Sequence, residues 1–285
     1  MIGLVSIFVV VPVHDRRKTT LAMLESFKRV VKPKSVGVTV CVIDDGSIDG
    51  TEEAIRLLYP EIVLHRGDGS LFWSGAVRLG IDLFLASDAT HLWLLNDDLR
   101  VDPQCLERLL AVVAAADPWV VSGTVEDSLG EPIYGGIIRK RFFRFRRATE
   151  SDYVDGICRS HSANGNCLLI SRVALESFDL PPHGLYRQEG MDMYIGLEAT
   201  RLGHVPIVVR EARCFGDSNK SKLSFYRREK PLTDRMRAIL GPKGLPPRMY
   251  WDFCRRFSGP LAPLLFLRPY LHVFLARRVE TSANR

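Results

Sequence analysis

Over the first 125 positions, short runs of β-branched and aliphatic residues alternate with stretches whose apolar positions recur every three or four residues. The runs Ser6–Val11, Gly37–Ile43, Glu61–Leu64, His91–Leu95 and Trp119–Gly123 predict strands, and the alternation predicts a parallel sheet covered by helices. Leu21, Met23, Leu24, Phe27 and Val30 have the spacing of an amphipathic helix, with Thr19 or Thr20 as its N-cap. Asp49 is placed to cap a second helix, Thr51–Leu58. Beyond residue 125 the alternation weakens into mixed strands and loops, with a helix near Met193–Leu202. No internal repeat is visible, and no Pro/Gly linker occurs before about Gly241. The apolar run Ile2–Val13 lacks a basic leader and a small-residue cleavage site, and it is too short to span a bilayer, so it reads as a buried strand.

In such a sheet, loops at the carboxyl ends of the strands converge on a ligand. The charged and small-residue motifs fall at those ends: His14–Asp15–Arg16 after the first strand, Asp44–Asp45–Gly46–Ser47 after the second and Asn96–Asp97–Asp98 after the fourth. Packing alone does not predict that coincidence. Asp97 and Asp98 emerge together from a buried run, so a turn can aim both at one hard cation, Mg2+ or Mn2+, bridging the phosphates of a nucleotide diphosphate. Asp44 or Asp45 could accept hydrogen bonds from a base or ribose. Pro12 and Val13 stiffen the adjoining strand exit, and Arg16 or Arg17 could approach phosphate.

Composition sharpens this picture only a little. The chain has 285 residues, 46% hydrophobic and 25% charged, which allows one large α/β domain or two small ones. The formal charge of +6 suits anionic partners without choosing among them. Six scattered cysteines with no CxxC pair read as reduced thiols in a cytoplasmic protein.

The three motifs, in order, resemble family 2 of the inverting glycosyltransferases, which have the GT-A fold: a strand ending in Val-Pro-Val, an Asp-Asp-Gly-Ser loop and a DXD-like metal motif. The resemblance extends over nearly the whole chain. The segment Gly67–Gly80 is similar to the version in a bacterial rhamnosyltransferase-like subset. There Gly69 and Trp73 would line the donor, and Ser74–Gly75 at a helix start would offer free N–H groups. Gly190–Leu197 resembles the family's Asp-x-Asp-Tyr-Gly-Leu-Arg-Ala pattern, whose first Asp removes the acceptor hydroxyl proton, and this role carries onto Asp192. Two departures stand out: Tyr194 occupies the second acidic position and Met191 stands where many relatives have Glu, so acceptor contacts fall to Glu189 or are absent. Arg213–Asn219 lacks the late His of many relatives, leaving Asp217, solvent or phosphate to complete a metal shell. Asn164, Gly165 and Asn166 match the family's small-residue turn beneath the donor sugar. His161 and His183 read as satisfied surface residues.

The implied architecture is an α/β GT-A domain over residues 1–240, with a Rossmann-like, mostly parallel sheet flanked by helices. Its halves, 1–125 and 126–240, would bind nucleotide and acceptor, and residues 241–285 would form a basic, apolar helical tail. The implied reaction is metal-assisted displacement from a nucleotide-diphosphate sugar onto a saccharide or lipid-linked acceptor in bacterial surface polysaccharide synthesis. The stretch Leu261–Leu275 is too short and too interrupted to cross a membrane. Flanked by Arg255, Arg256, Arg277 and Arg278, it could lie on the cytoplasmic face of an anionic membrane, form a homodimer contact or cover the core. Two rivals are a nucleotidyltransferase, disfavoured by the lack of a Gly-rich, Lys-containing loop after the first strand, and a non-catalytic nucleic-acid binder. The latter would use Arg139–Arg147 with Phe142, Phe143 and Phe145. Alternation on a strand, burying the phenylalanines, accounts for that segment at less cost, so nucleic acid is not the expected partner.

Overall fold

A computed structural model describes residues 5–140, 144–217 and 224–276. Its amino-terminal part runs β1 (Ser6–Val13), α1 (Arg17–Lys28), β2 (Gly37–Asp44), α2 (Thr51–Leu58), β3 (Val63–Arg66), α3 (Phe72–Leu85), β4 (His91–Leu95), β5 (Arg100–Val101), α4 (Cys105–Ala116) and β6 (Val120–Glu126). There follow β7 (Pro132–Tyr134), β8 (Gly136–Lys140), β9 (Arg144–Arg147), β10 (Ile157–Arg159), β11 (Ser162–Ala163), β12 (Cys167–Ser171), α5 (Arg172–Ser177), α6 (Met191–Arg201) and β13 (Ile207–Phe215). Three helices close the chain, α7 (Leu232–Leu240), α8 (Pro247–Phe257) and α9 (Ala262–Leu275).

The main sheet has the order β10-β13-β6-β12-β4-β1-β2-β3. Strands β4, β1, β2 and β3 are mutually parallel, whereas β12 enters antiparallel between β4 and β6. The sheet is buried on both faces, and β1 shows how. Ile7, Val9 and Val11 point into a cluster with Phe27, Trp93 and Leu109. Phe8 and Val10 point into the opposite cluster with Phe84, Leu94 and Ile195. Pro12 is tolerated in this central strand because pairing with β4 ends at Val10, before its missing N–H is needed. A small second sheet, β11-β8-β9, lies beyond the main one.

Several local expectations change. Thr19 and Thr20 lie inside α1, not at its cap; the Arg17 N–H is met instead by Asp49 Oδ2 at 2.9 Å. The N-cap of α2 is Gly50, in the left-handed region, and not Asp49; from one residue earlier Asp49 Oδ1 still accepts from the Thr51 N–H at 3.1 Å. Strand β3 begins at Val63 because Tyr59–Ile62 closes a turn, the Ile62 N–H reaching the Tyr59 carbonyl at 3.0 Å. All six cysteines are free and buried, so they serve as small core residues. Phe142 and Phe143, together with Ser218, Asn219, Arg277 and Arg278, lie outside the described residues.

The carboxy-terminal helices are fastened to α6. Glu198, fully buried, accepts from Arg201 at 2.9 and 2.7 Å and from Arg256 of α8 at 2.9 and 2.6 Å. Burial opposes its charge, but hydrogen bonds from Arg201 and Arg256 outweigh it and hold the carboxyl down at about 2. Tyr186 and Tyr194 are buried beside this pair, and the Tyr194 ring meets Phe257 edge-on at 5.1 Å. Arg256→Ala should destabilise the fold by roughly 3 kcal/mol, since it strips a buried carboxylate of one partner. The folded pKa of Glu198 is depressed, so its contribution is present above about pH 4.3 and lost as the pH falls towards 2. Urea denaturation of both proteins at neutral and acid pH measures the difference, which should shrink in acid.

Candidate active site

The carboxyl ends of β1, β2 and β4 carry the predicted motifs, and the structure brings them together in three connected groups. The first is a cation-centred cluster. Arg16 Nη1 lies 3.1 Å from Asp97 Oδ1 and 2.9 Å from Asp98 Oδ2. Thr20, buried in α1, donates to Asp97 Oδ2 at 3.5 Å. Asp97 is buried, and burial pushes its carboxyl up to about 6 despite the pull of Arg16; the neighbouring Asp98 charge adds to the rise. Oxygens of both carboxylates thus converge on one positive group, the arrangement that a hard divalent cation also requires. The donor set therefore fits Mg2+ or Mn2+, with Arg16 compensating the pair. Asp98 and Asp217 line one cavity of about 400 Å3 together with Arg100, Asp127, Phe215 and Gly216. Among the described residues, however, Asp97, Asp98 and Asp217 do not bring three ligand oxygens within 4.8 Å of one another.

The second group resolves the choice between Asp44 and Asp45. Asp45 Oδ1 accepts from the Gly69 N–H at 2.9 Å and the Leu71 N–H at 3.2 Å, and Oδ2 accepts from the Phe72 N–H at 2.8 Å. It is committed to folding the 67–72 loop and has little capacity left for a ligand. Asp44 Oδ1 accepts from the Ser47 N–H at 2.9 Å, whereas Oδ2 is buried with no hydrogen-bond partner. An unmatched buried carboxylate oxygen at this edge suits an N–H or O–H of a bound nucleoside. Asp15 is likewise a loop tie: its N–H reaches Ser47 Oγ at 2.9 Å and its Oδ1 accepts from the Ile48 N–H at 2.8 Å.

The third group connects the acidic pair to Asp192. The Trp73 indole N–H donates to Asn96 Oδ1 at 2.9 Å, and Asn96 Nδ2 donates to Asn166 Oδ1. The neighbouring Gly165 N–H donates to Asp192 Oδ2 at 3.0 Å, and the Met193 N–H meets Oδ1 at 2.8 Å. Asp192 sits in the first turn of α6, where burial raises its pKa against those two amide bonds. Glu189, ahead of that helix, is exposed at the rim; desolvation and the Asp192 charge raise its pKa, and Lys243 from the tail opposes them.

Other expectations are corrected. The Ser74 and Gly75 N–H groups are not free: both donate to the Arg187 carbonyl, at 2.7 and 3.1 Å, because α3 starts against the 185–190 loop. Asn164 faces Gly135, whose N–H reaches Asn164 Oδ1 at 3.5 Å, and not the Asn96–Asn166 pair. Tyr194 is a core residue whose hydroxyl donates to the Asp179 carbonyl at 2.5 Å, so that position holds no acid for an acceptor. Met191 is buried. His183 and His161, by contrast, have partners as expected: His183 pairs with Asp82 at 2.9 Å and His161 Nδ1 accepts from the Arg139 N–H at 3.2 Å. Two residues escaped the sequence reading. Phe72 adopts φ of 57°, a strained conformation for a bulky residue that Asp45 holds in place. Arg187 lies over the Phe72 ring at 4.5 Å. Only the glycines around Phe72 hinted at so tight a turn.

The sequence matches Glycosyl transferase family 2 over residues 8–176, more than half of its length. The chain belongs to that family. The match takes in the Arg16–Asp97–Asp98 cluster and Asn166 but stops before Asp192, so it is shorter than the resemblance read from the motifs. No curated protein matches the chain. Among solved structures, GalNAc-T7 with UDP, GalNAc and Mn2+ is similar at a TM-score of 0.61 and 16% identity, covering 95% of this chain and 55% of that one. The mannosyltransferase PcManGT from Pyrobaculum calidifontis, in complex with GDP-Man and Mn2+, is similar at a TM-score of 0.54 and 16% identity, covering 95% and 70%. These likenesses establish the GT-A fold for the family 2 domain. The chain thus spans little more than half the length of the first of these structures.

Gly165 tests the third group directly. A Cβ there would stand 2.5 and 2.8 Å from Trp73 ring carbons and 3.1 Å from Asp192 Cβ. Gly165→Ala should therefore displace Trp73 and Asp192 while the fold persists. Indole fluorescence should shift, with unfolding cost held to about 1–3 kcal/mol.

Proposed function

We propose that this protein is an inverting glycosyltransferase, moving a sugar from a nucleotide-diphosphate donor to a hydroxyl of a saccharide or lipid-linked saccharide, with Asp192 as the base. The observation that carries this reading is the hydrogen-bonded path from Asn96, beside the acidic pair, through Asn166 and Gly165 to Asp192. It holds a carboxylate of raised proton affinity at a fixed offset from the acidic pair.

Asp44, through its unmatched Oδ2, receives a nucleoside N–H or O–H, and the 67–72 loop shaped by Asp45 forms the wall beside it. Asp97 and Asp98 would hold Mg2+ or Mn2+, which supplies positive charge against the leaving diphosphate. Asp217 would complete that shell, or leave the place to solvent or phosphate. Arg16 neutralises the same acidic pair and turns towards the diphosphate when a metal takes its place. Asp192 accepts the acceptor hydroxyl proton as the new C–O bond forms at the anomeric carbon and the bond to the diphosphate oxygen breaks. Attack from the face opposite the leaving group inverts the configuration. Two backbone N–H groups fix the Asp192 carboxylate, so its orientation does not have to be found during the reaction. Glu189 and Lys243 stand where acceptor hydroxyls would approach. The similarity of Gly67–Gly80 to rhamnosyltransferase-like enzymes makes nucleotide-linked deoxyhexoses the first donors to screen, and surface polysaccharide assembly the setting.

Asp192→Asn should lower turnover by about 10²–10⁴-fold with donor binding intact. Asp98→Ala should instead weaken donor binding and metal dependence together. Calorimetry with a panel of nucleotide sugars and metal ions, alongside transfer assays, distinguishes the two; near-normal turnover in Asp192→Asn would overturn the base assignment. The base acts deprotonated and its pKa is raised, so kcat/KM should fall in acid with a midpoint above the ordinary carboxylate value of about 4.

A further inference from the structure

Helix α9 is apolar on two faces and only one of them is covered. Ala262, Leu265, Pro269 and Val273 are buried, at the spacing of one helical stripe. Leu261, Leu264, Leu267, Leu271, Phe274 and Leu275 form a second stripe pointing outward, each between 44% and 70% exposed. A chain that only completed its core would make this stripe polar. On α8, Arg248, Trp251 and Arg255 recur at the same helical spacing and are all exposed. Trp251 meets the half-buried Phe266 of α9 at 5.4 Å, so the two helices touch beside these residues. Arg268 and His272 add exposed basic side chains to the α9 side.

Charge decides what fits this surface. From Pro246 to Ala276 the single acidic residue is Asp252, which accepts from the Tyr186 hydroxyl at 3.2 Å and lies 3.7 Å from Arg255. Arg256 is taken up by Glu198 and Asp179. That leaves Arg248 and Arg268, with Arg255 held only at 3.7 Å by Asp252, around an apolar stripe with an indole at its border. A second copy packed symmetrically would set one acid-poor basic patch against another. An anionic lipid surface instead accepts leucines and Phe274 below the headgroups, Trp251 at their level and the arginines among the phosphates. No helix among the described residues is long and apolar enough to cross a membrane.

We propose that the outward face of α8 and α9 docks the protein onto anionic membrane surfaces, lying in the interface without crossing it. Because α8 is bolted to α6 through Glu198, docking would bring the helix that carries Asp192 near lipid-borne molecules. The proposal stands or falls apart from sugar transfer, since its test reads only lipid binding.

The test is co-sedimentation of the full chain with vesicles of phosphatidylcholine alone and of phosphatidylcholine containing about a third phosphatidylglycerol. Pelleting with the anionic vesicles alone, weakened by salt, is the expected result. Each of Arg248→Gln, Arg255→Gln and Arg268→Gln should weaken it about fivefold. Leu264→Asp combined with Leu271→Asp should abolish it at an unchanged melting temperature, because both side chains are already exposed. Equal or absent pelleting with the two vesicle types, or pelleting insensitive to these substitutions, would overturn the proposal. So would a dimer in light scattering that the paired aspartates split while vesicles go unbound; the face would then belong to a second copy.

Discussion

Carboxylates at the ends of apolar strands must be compensated where they stand, and this constraint organises the rest of the molecule. Asp44 and Asp97 are buried because the strands that deliver them, β2 and β4, are packed on both faces. Removing such groups from water is costly unless hydrogen bonds or an opposite charge repay it. For Asp97 the repayment comes from Arg16, just ahead of α1, and from Thr20 within that helix. For Asp44 it is incomplete, and one buried oxygen has no hydrogen-bond partner. The site is where the fold's electrostatic accounts do not close by themselves.

The second half of the chain supports this edge in a different way. Strand β12 runs antiparallel beside β4, with Cys167 opposite Leu95. That pairing places Asn166 beside Asn96 and the Gly165 amide against Asp192, so this carboxylate is located by sheet register and not by loop contacts alone. Helix α6 is in turn held by α8 through a buried ion pair, which ties the most distant part of the sequence to the orientation of a first-turn side chain.

Much of the sheet was legible because its residues obey strong local rules. Gly37–Ile43 and His91–Leu95 are rich in aliphatic and β-branched residues and are followed closely by acids, and the structure gives β2 one residue more and β4 the same limits. The pairing of Asp97 with Asp98 was legible for the same reason. The roles of Asp44, Asp45, Ser74 and Gly75 were not, since a motif gives residue types but not which lone pair or N–H is already spent. Asp45 is spent on three amides of a loop some 25 positions away, and Ser74 and Gly75 on the Arg187 carbonyl. The preference of threonine for caps points to Thr20, but its neighbour across the fold is Asp97 and not the start of its own helix. The antiparallel entry of β12 was hidden too, because strand direction leaves no mark in a short apolar run.

One carboxylate, Asp49, meets the first amides of both α1 and α2. The walls that follow β1 and β2 are therefore hinged on a shared pin: neither helix can tilt at its amino end without pulling the other.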